Sequence, residues 1–523
     1  MITNQRLRFL FLASAFSLIF SPVSADDTSV AALPLYQPGS GITEESVDKI
    51  VEWALNLYEV PGVAIAIVKD GEIFKTEGYG IRDVDNGEPV DEETLFQLAS
   101  VSKTFTAATF AAAVDAKKLK WRETTAQDVL PGFQMYTPYA TQWVNGTDYM
   151  VHRSGFPGFF GDLFDHFGYS RSDIQHRMRF VKPAYSFRDH PEYSNLGFFL
   201  AGEMVAEVEG LTFEESVEKY ITGPIGMTHT GKAERLFAAE ETKSNVAASH
   251  AEMDQETVVV PHNLSKVFVA AGGLASNAKD MAAYVKMLVN NGEYEGTTVL
   301  SEDAIEQIFD PVISTEIGFS EFPPIGENTG FNYSPGWGVF HYNGLKVLEK
   351  GGALDGVRTI VVLVPEKKFG IAILANMNLT ALPEAVRAGI LQQMFGVAGE
   401  EDFQPAIYER AMKLHDMLFG SIQEPTADKS LTPEQIDAFV GSYTNDLYGV
   451  WTVAYDEKKP AQLVLLSGPA EYKGKVTVSD PKTLTVEWPI VISGPEEIPF
   501  DITEGESATS FDFDGYKFRR LGN

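Results

Sequence analysis

The chain has 523 residues, a formal charge of −32 and no cysteine. That length exceeds one ordinary domain and supplies material for two or three, with a large core. So acidic a surface, without any Lys/Arg-rich run, argues against nucleic acid or anionic membrane as a partner, and the missing thiols exclude disulfides and thiol lipidation.

Residues 1–25 read apart from the rest. Arg6 and Arg8 precede an apolar run, Phe9 to Phe20, and Val23-Ser-Ala25 stands before Asp26. This is the pattern of a secretory signal peptide cut after Ala25. The run is shorter than the ~20 residues that a spanning helix needs. A periplasmic or secreted protein with no stable membrane anchor is expected.

After a leader arm to residue 42, Thr43 to Tyr58 carries Val47, Ile50, Val51, Ala54, Leu55 and Tyr58 at helical spacing, which predicts an amphipathic helix. Val63 to Val68, the turn Lys69-Asp-Gly71 and Glu72 to Glu77 predict a β-hairpin. A helix, a hairpin and then a further helix indicate an α+β fold with an antiparallel sheet.

That next helix opens at Phe96-Gln-Leu-Ala-Ser-Val-Ser-Lys103 and runs on through Ala107, Phe110 and Ala113 with no Gly or Pro. Ser100 and Lys103 lie one turn apart on one face, so the amine can reach the hydroxyl. A lysine buried on an uncharged helix loses its proton readily and could take the proton of the serine. The spacing is not specific by itself, because S-x-x-K recurs at Ser46/Lys49, Ser216/Lys219, Ser276/Lys279 and Ser479/Lys482. Ser100 alone opens an almost uncharged helix with suitable partners downstream.

Residues 122–192 are loop-rich and aromatic and suggest a helical and loop subdomain. They hold His152-Arg-Ser-Gly155, whose histidine reads as a structural hydrogen-bonder. Tyr193-Ser-Asn195 sits at the mouth of a helix from Leu196 to Glu209. Gly272-Gly273 introduces another near Asp280 to Asn290. Strand-like runs return at Val347-Leu348, Thr359 to Val364 and Phe369 to Ala375, with Lys350-Gly-Gly-Ala353 between two of them. There the glycines would let the backbone approach a ligand and Lys350 would supply a fixed positive charge. Residues 397–432 read as a linker with a bridging helix. From about Phe439 to the end, short alternating runs between Gly/Pro/Asp turns predict a small all-β barrel, taken as an accessory domain over 433–523. Asp512-Phe-Asp514-Gly515 reads as a β-turn.

The ordered set S-x-x-K, Y-x-N and K-x-G resembles the serine β-lactamase and penicillin-binding-protein superfamily, and within it the class C or CubicO-type hydrolases. The surroundings of Ser100, His152, Tyr193, Pro224-Ile-Gly-Met227 and Gly272-Gly273 agree, over residues 40–395. The resemblance implies a catalytic domain over 26–396. Ser100 would be the acylated nucleophile, with Lys103 and Tyr193 sharing proton transfer. The backbone N–H groups of Ser100 and Ala353 would form the oxyanion hole. Asn195, Lys350, Gly351 and Gly352 would bind substrate. Lys350 departs from the histidine frequent in CubicO-type relatives, and Gly351 from the Thr or Ser of class C enzymes. The carboxyl-terminal domain resembles the lipocalin-like module of some CubicO-type peptidases.

No G-x-S-x-G elbow and no H-E-x-x-H occurs, and the nine histidines offer no i, i+4 pair with nearby carboxylates, so neither metal nor cofactor is expected. The expected activity is an exported serine hydrolase acting through an acyl-enzyme on a small-molecule or peptide substrate: a peptide, a D-amino-acid amide or an ester. The alternatives are a short-chain esterase, transacylase or β-lactamase, and, from another class, a catalytically silent cell-wall-binding protein.

Overall fold

The computed structural model describes residues 38–253, 256–315, 331–396, 407, 426–428, 430–489 and 494–522. The signal peptide and nearly all of the bridging helix expected from the sequence lie outside them. Among the described residues no helix is long and apolar enough to cross a membrane.

The first part is an α+β domain around an eight-stranded antiparallel sheet. Its strands are β1 (Gly62–Lys69), β2 (Glu72–Gly80), β3 (Ile313–Thr315), β4 (Phe331–Ser334), β5 (Trp337–Tyr342), β6 (Leu345–Leu354), β7 (Val357–Val364) and β8 (Phe369–Ala375). They lie in the order β3-β4-β5-β6-β7-β8-β1-β2, so the amino-terminal hairpin completes a sheet built from chain far downstream. Period-two alternation divides the central strands between two layers. Val63, Ile65, Ile67, Ile371 and Ile373 face α1 (Glu44–Tyr58) and a late helix, Leu382–Phe395. Ala64, Ala66, Val361, Ala372 and Leu374 face α2 (Ser102–Asp115) and Ala278–Val289. Thr43 caps α1 in a reciprocal capping box with Ser46, which satisfies two of the otherwise unpaired terminal groups. Helix α2 is covered all round, with Ser102 to Ala113 buried, which explains why its apolar residues show no one-sided periodicity.

Lys350-Gly-Gly-Ala353 is not a break between strands. It lies inside β6, paired with β7 from Leu348↔Leu363 to Leu354↔Val357. Two glycines lower strand propensity, but pairing along this stretch overrides it. The alternation there has a consequence: Glu349 turns toward the late helix, where Arg387 binds it, while Lys350 turns to the opposite side.

The second part is a closed barrel of eight antiparallel strands between Gly441 and Arg520. Its inward positions are large and aromatic: Tyr443, Trp451, Trp488, Phe500, Phe511 and Phe518. Arg520 closes it, donating to the Tyr443 hydroxyl at 3.0 Å and to the carbonyls of Ala508 and Val440. The Asp514-Gly515 turn joins the last two strands, both residues with positive φ.

The barrel does not hang free. Phe160, Phe164 and Phe167 of the α+β domain belong to the same apolar cluster as the barrel residues Tyr448, Trp451 and Trp488. The ring of Phe167 lies 5.2 Å from Trp451 and 5.6 Å from Trp488. Its carbonyl accepts from the Ala470 N–H at 2.9 Å. Gly168 makes the contact possible: its φ is +83°, and a Cβ there would sit 2.6 Å from the Ala470 Cβ.

Candidate active site

Ser100 lies in a one-turn 3₁₀ helix, Ala99–Val101, that leads into α2. Ala99 carries φ 47°, a left-handed conformation that a residue with a Cβ adopts only under constraint. The constraint is visible on both sides. The Leu98 N–H donates to the Leu274 carbonyl at 2.8 Å, and the Thr359 hydroxyl of β7 donates to the Leu98 carbonyl at 2.9 Å. Gly352 of β6 lies against the same turn. A Cβ there would come within 2.6 Å of the Leu98 oxygen and 2.9 Å of the Ser100 nitrogen. Only glycine lets the strand edge pass this close.

Lys103 is fully buried, and its Nζ contacts three oxygens: Ser100 Oγ at 2.9 Å, Asn195 Oδ1 at 2.7 Å and the Ala271 carbonyl at 2.6 Å. Burial pushes its pKa well below the ordinary value, Lys350 pushes the same way and Asp162 opposes. The geometry suits the neutral amine. Two of the three partners can only accept, so they take its two N–H groups, and the lone pair is left facing the serine hydroxyl.

Tyr193 donates to Ser100 Oγ from the other side at 2.8 Å. Its ring is held between Phe159, centroids 4.9 Å apart, and His152, 4.4 Å apart. The Nζ atoms of Lys103 and Lys350 lie 4.9 and 4.8 Å from that ring's centroid, and Lys350 Nζ also stands 3.5 Å from the phenol oxygen. Asn195 opens the helix Asn195–Glu209. Its Oδ1 accepts from Lys103, and its Nδ2 donates to Asp162 Oδ2 at 2.9 Å. That second bond fixes which end of the amide faces the lysine. Gly351 and Ala353 share β6 with Lys350 and Gly352.

Three further residues belong to the constellation and carry no motif. Asp162 is held up to about 7 by burial, against the pull of Asn195 and Lys103. Phe159 stacks on Tyr193. Tyr333 of β4 accepts from Lys350 at 3.0 Å, and burial keeps it protonated. His152 accepts the Ser194 N–H on Nδ1 at 3.0 Å, so its proton is on Nε2 and points to the Tyr333 oxygen at 3.2 Å. Burial, Lys350 and Lys103 keep the imidazole neutral. Acidic and aromatic residues in the Phe156 to Tyr169 stretch were the one sequence signal for Asp162 and Phe159. Nothing in it says which side chain turns inward.

A serine and a lysine at the head of one helix, a tyrosine on the opposite side and a glycine-lined strand edge lie together here, the arrangement that the resemblance to the serine β-lactamase and penicillin-binding-protein superfamily leads one to expect. Residues 47–393 match the Beta-lactamase family model, and the chain belongs to that family. It is 28% identical over 433 residues to the unguisins hydrolase ungD of Aspergillus violaceofuscus, covering 77% of this chain and 75% of the relative. In fold it is similar to the octameric penicillin-binding protein homologue from Pyrococcus abyssi, with a TM-score of 0.57 and 20% identity, covering 91% of this chain and 100% of that one. It is likewise similar to SurE solved with D-Leu, with a TM-score of 0.55 and 18% identity, covering 91% and 99%.

Proposed function

We propose that the protein is an exported serine hydrolase of the class C or CubicO type, working through an acyl-enzyme on a peptide, a D-amino-acid amide or an ester. The observation that carries this reading is the coordination of Lys103, whose lone pair in the neutral state is left for the Ser100 hydroxyl. A wholly buried lysine is costly to keep in a protein that uses its fold only to bind. The relative named as an unguisins hydrolase is in keeping with a hydrolytic activity, and the fold neighbour solved with D-Leu with a D-amino-acid substrate.

In the proposed reaction Ser100 Oγ attacks the substrate carbonyl carbon as its proton passes to the Lys103 and Tyr193 pair. The negative charge that develops on the carbonyl oxygen is met by the N–H groups of Ser100 and Ala353. Tyr193 then returns the proton to the leaving amine or alkoxide as the carbonyl–heteroatom bond breaks. Water, deprotonated by the same pair, attacks the ester carbon, and Ser100 leaves with its proton restored. Asn195, Lys350, Gly351 and Gly352 hold the substrate, Lys350 through a carboxylate or carbonyl oxygen. The test is a fluorescent phosphonate together with D- and L-aminoacyl anilides, p-nitrophenyl esters and a chromogenic cephalosporin. One phosphonate adduct per chain, lost in Ser100→Ala, is expected. An adduct that persists in that variant refutes the assignment.

A further inference from the structure

The segment from Gly158 to Tyr169 touches the site and the barrel alternately. Phe159 stacks on Tyr193 and Asp162 binds Asn195. Between and beyond them, Phe160 and Phe164 pack on Tyr448 at 6.2 and 5.6 Å, Phe160 on Tyr516 at 5.7 Å, and Phe167 on Trp451 and Trp488. The Tyr169 hydroxyl donates to the Tyr448 carbonyl. A twelve-residue loop with no regular helix or strand cannot hold two ring and carboxylate positions by itself, because each ordered residue costs backbone entropy. Here the aromatic mouth of the barrel supplies the opposing burial.

Resting on the hydrolase reading above, we propose that the barrel is part of the catalytic apparatus: it clamps the 158–169 strap, and through the strap Asp162 acts as a positioning residue for Asn195 and Lys103. This role goes further than the accessory one expected from the sequence, and the experiment below separates the two. The side-chain partner of Asp162 is Asn195, not Ser100. It holds the Asn195 amide with Oδ1 toward Lys103, and a flipped amide would offer the lysine an N–H where it now finds an acceptor. Oδ1 of Asp162 is buried without a hydrogen-bond partner, so its position is not set by solvent or by a second bond and depends on the strap. Beside the Ala271 carbonyl and the Phe198 ring, the polar and titratable side chains facing Lys103 are Ser100, Asn195, Tyr193, Lys350 and Asp162, with His152 behind Tyr193. Of these only Asp162 brings negative charge.

The experiment compares Asp162→Leu, Phe167→Ala and the double variant in the full chain. Three quantities are read: the phosphonate labelling rate of Ser100, its pH profile, and the titration of the Lys103 amine by nitrogen-15 NMR. Phe167→Ala is expected to slow labelling on the order of 10²-fold, the size of a small misplacement at a reacting centre. It should move the acidic limb to lower pH, as Asp162→Leu does, because both take the carboxylate away from the lysine. The double variant should be no slower than Asp162→Leu, since the two act through one path. Labelling of Phe167→Ala at the wild-type rate, or effects that multiply, overturns the proposal. Should Phe167→Ala fail to fold, Gly168→Ala presses on the exposed Ala470 from the strap and is read in the same way. A wild-type chain that takes no phosphonate sinks the hydrolase reading. The Lys103 titration then still decides whether strap and barrel govern the lysine.

Discussion

Ser100/Lys103 and Ser216/Lys219 share a spacing and almost nothing else. Lys219 extends to Glu209 at 2.6 Å with about half of its side chain in solvent, and that carboxylate raises its pKa. Ser216 donates to the Thr212 carbonyl one turn back, at 2.9 Å. Lys279, three residues after Ser276, is paired in the same way with Glu93 at 2.8 Å, and its pKa is raised too. Lys103 has neutral oxygens as its hydrogen-bond partners, is buried, and its pKa falls. The tetrapeptide supplies reach and nothing more. What suits one lysine to the proposed role of proton acceptor is the absence of solvent together with partners that can satisfy its N–H groups without holding its charge.

The largest test of that contrast removes the serine. Ser100→Ala should lower turnover by about 10⁶-fold, the scale seen when a nucleophile acting as one unit with its base is lost. Ser216→Ala should leave turnover unchanged, as read on a p-nitrophenyl ester. Equal losses would mean that the contrast in burial does not decide reactivity.

Tyr193→Phe comes next. The phenol donates to Ser100 Oγ opposite Lys103, so its loss should cost about 10²–10⁴-fold, as for a general acid–base group. The fold should survive, because the ring stays packed between Phe159 and His152. Single-turnover labelling separates the two proton carriers: near-normal acylation in Tyr193→Phe would leave Lys103 as the sole base. A smaller loss, on the order of 10²-fold, is expected of Gly352→Ala. Its added Cβ meets the backbone at Leu98 and Ser100 and must displace the serine turn. Circular dichroism with labelling rates would show a folded, slow enzyme.

The parts of this arrangement that could be read from the sequence are those carried by short-range geometry. The i, i+3 step on a helix brings Lys103 to Ser100. Asp70-Gly71, both with positive φ, turns β1 into β2. Tyr193 and Asn195 flank a helix entry, and barrel alternation was visible in segments such as Ser510 to Phe513, where Phe511 and Phe513 are buried on either side of the exposed Asp512. Illegible were contacts made by tertiary placement alone. Asp162 and Asn195 are 33 residues apart with no periodicity between them. Tyr333 and Lys350 meet because β5 and its flanking turns intervene in the sheet. The aromatic strap and the aromatic barrel mouth were each apparent as composition, but neither sequence states that one fills the other. The strand running through Lys350-Gly-Gly-Ala353 was hidden because glycine reads locally as a break, and only pairing with β7 reveals otherwise.

The finest test concerns charge alone. At low pH Lys103 is protonated and its lone pair is gone, so labelling should fall on the acidic side as the pH drops through the pKa of the lysine. Lys350 lowers that pKa and Asp162 raises it. Lys350→Gln removes a repelling cation, makes protonated Lys103 easier to form, and so should move the acidic limb to higher pH. Asp162→Leu should move it to lower pH. Lys219→Gln, changing a lysine of the same spacing on the charged surface, should not move it at all, because salt and solvent screen so exposed a charge from the site. Opposite shifts for the two near groups and none for the distant one are what a buried amine governed by its immediate neighbours requires. A shift for Lys219→Gln equal in sign and size to that of Lys350→Gln would mean that the limb follows the net charge of the protein and does not report Lys103.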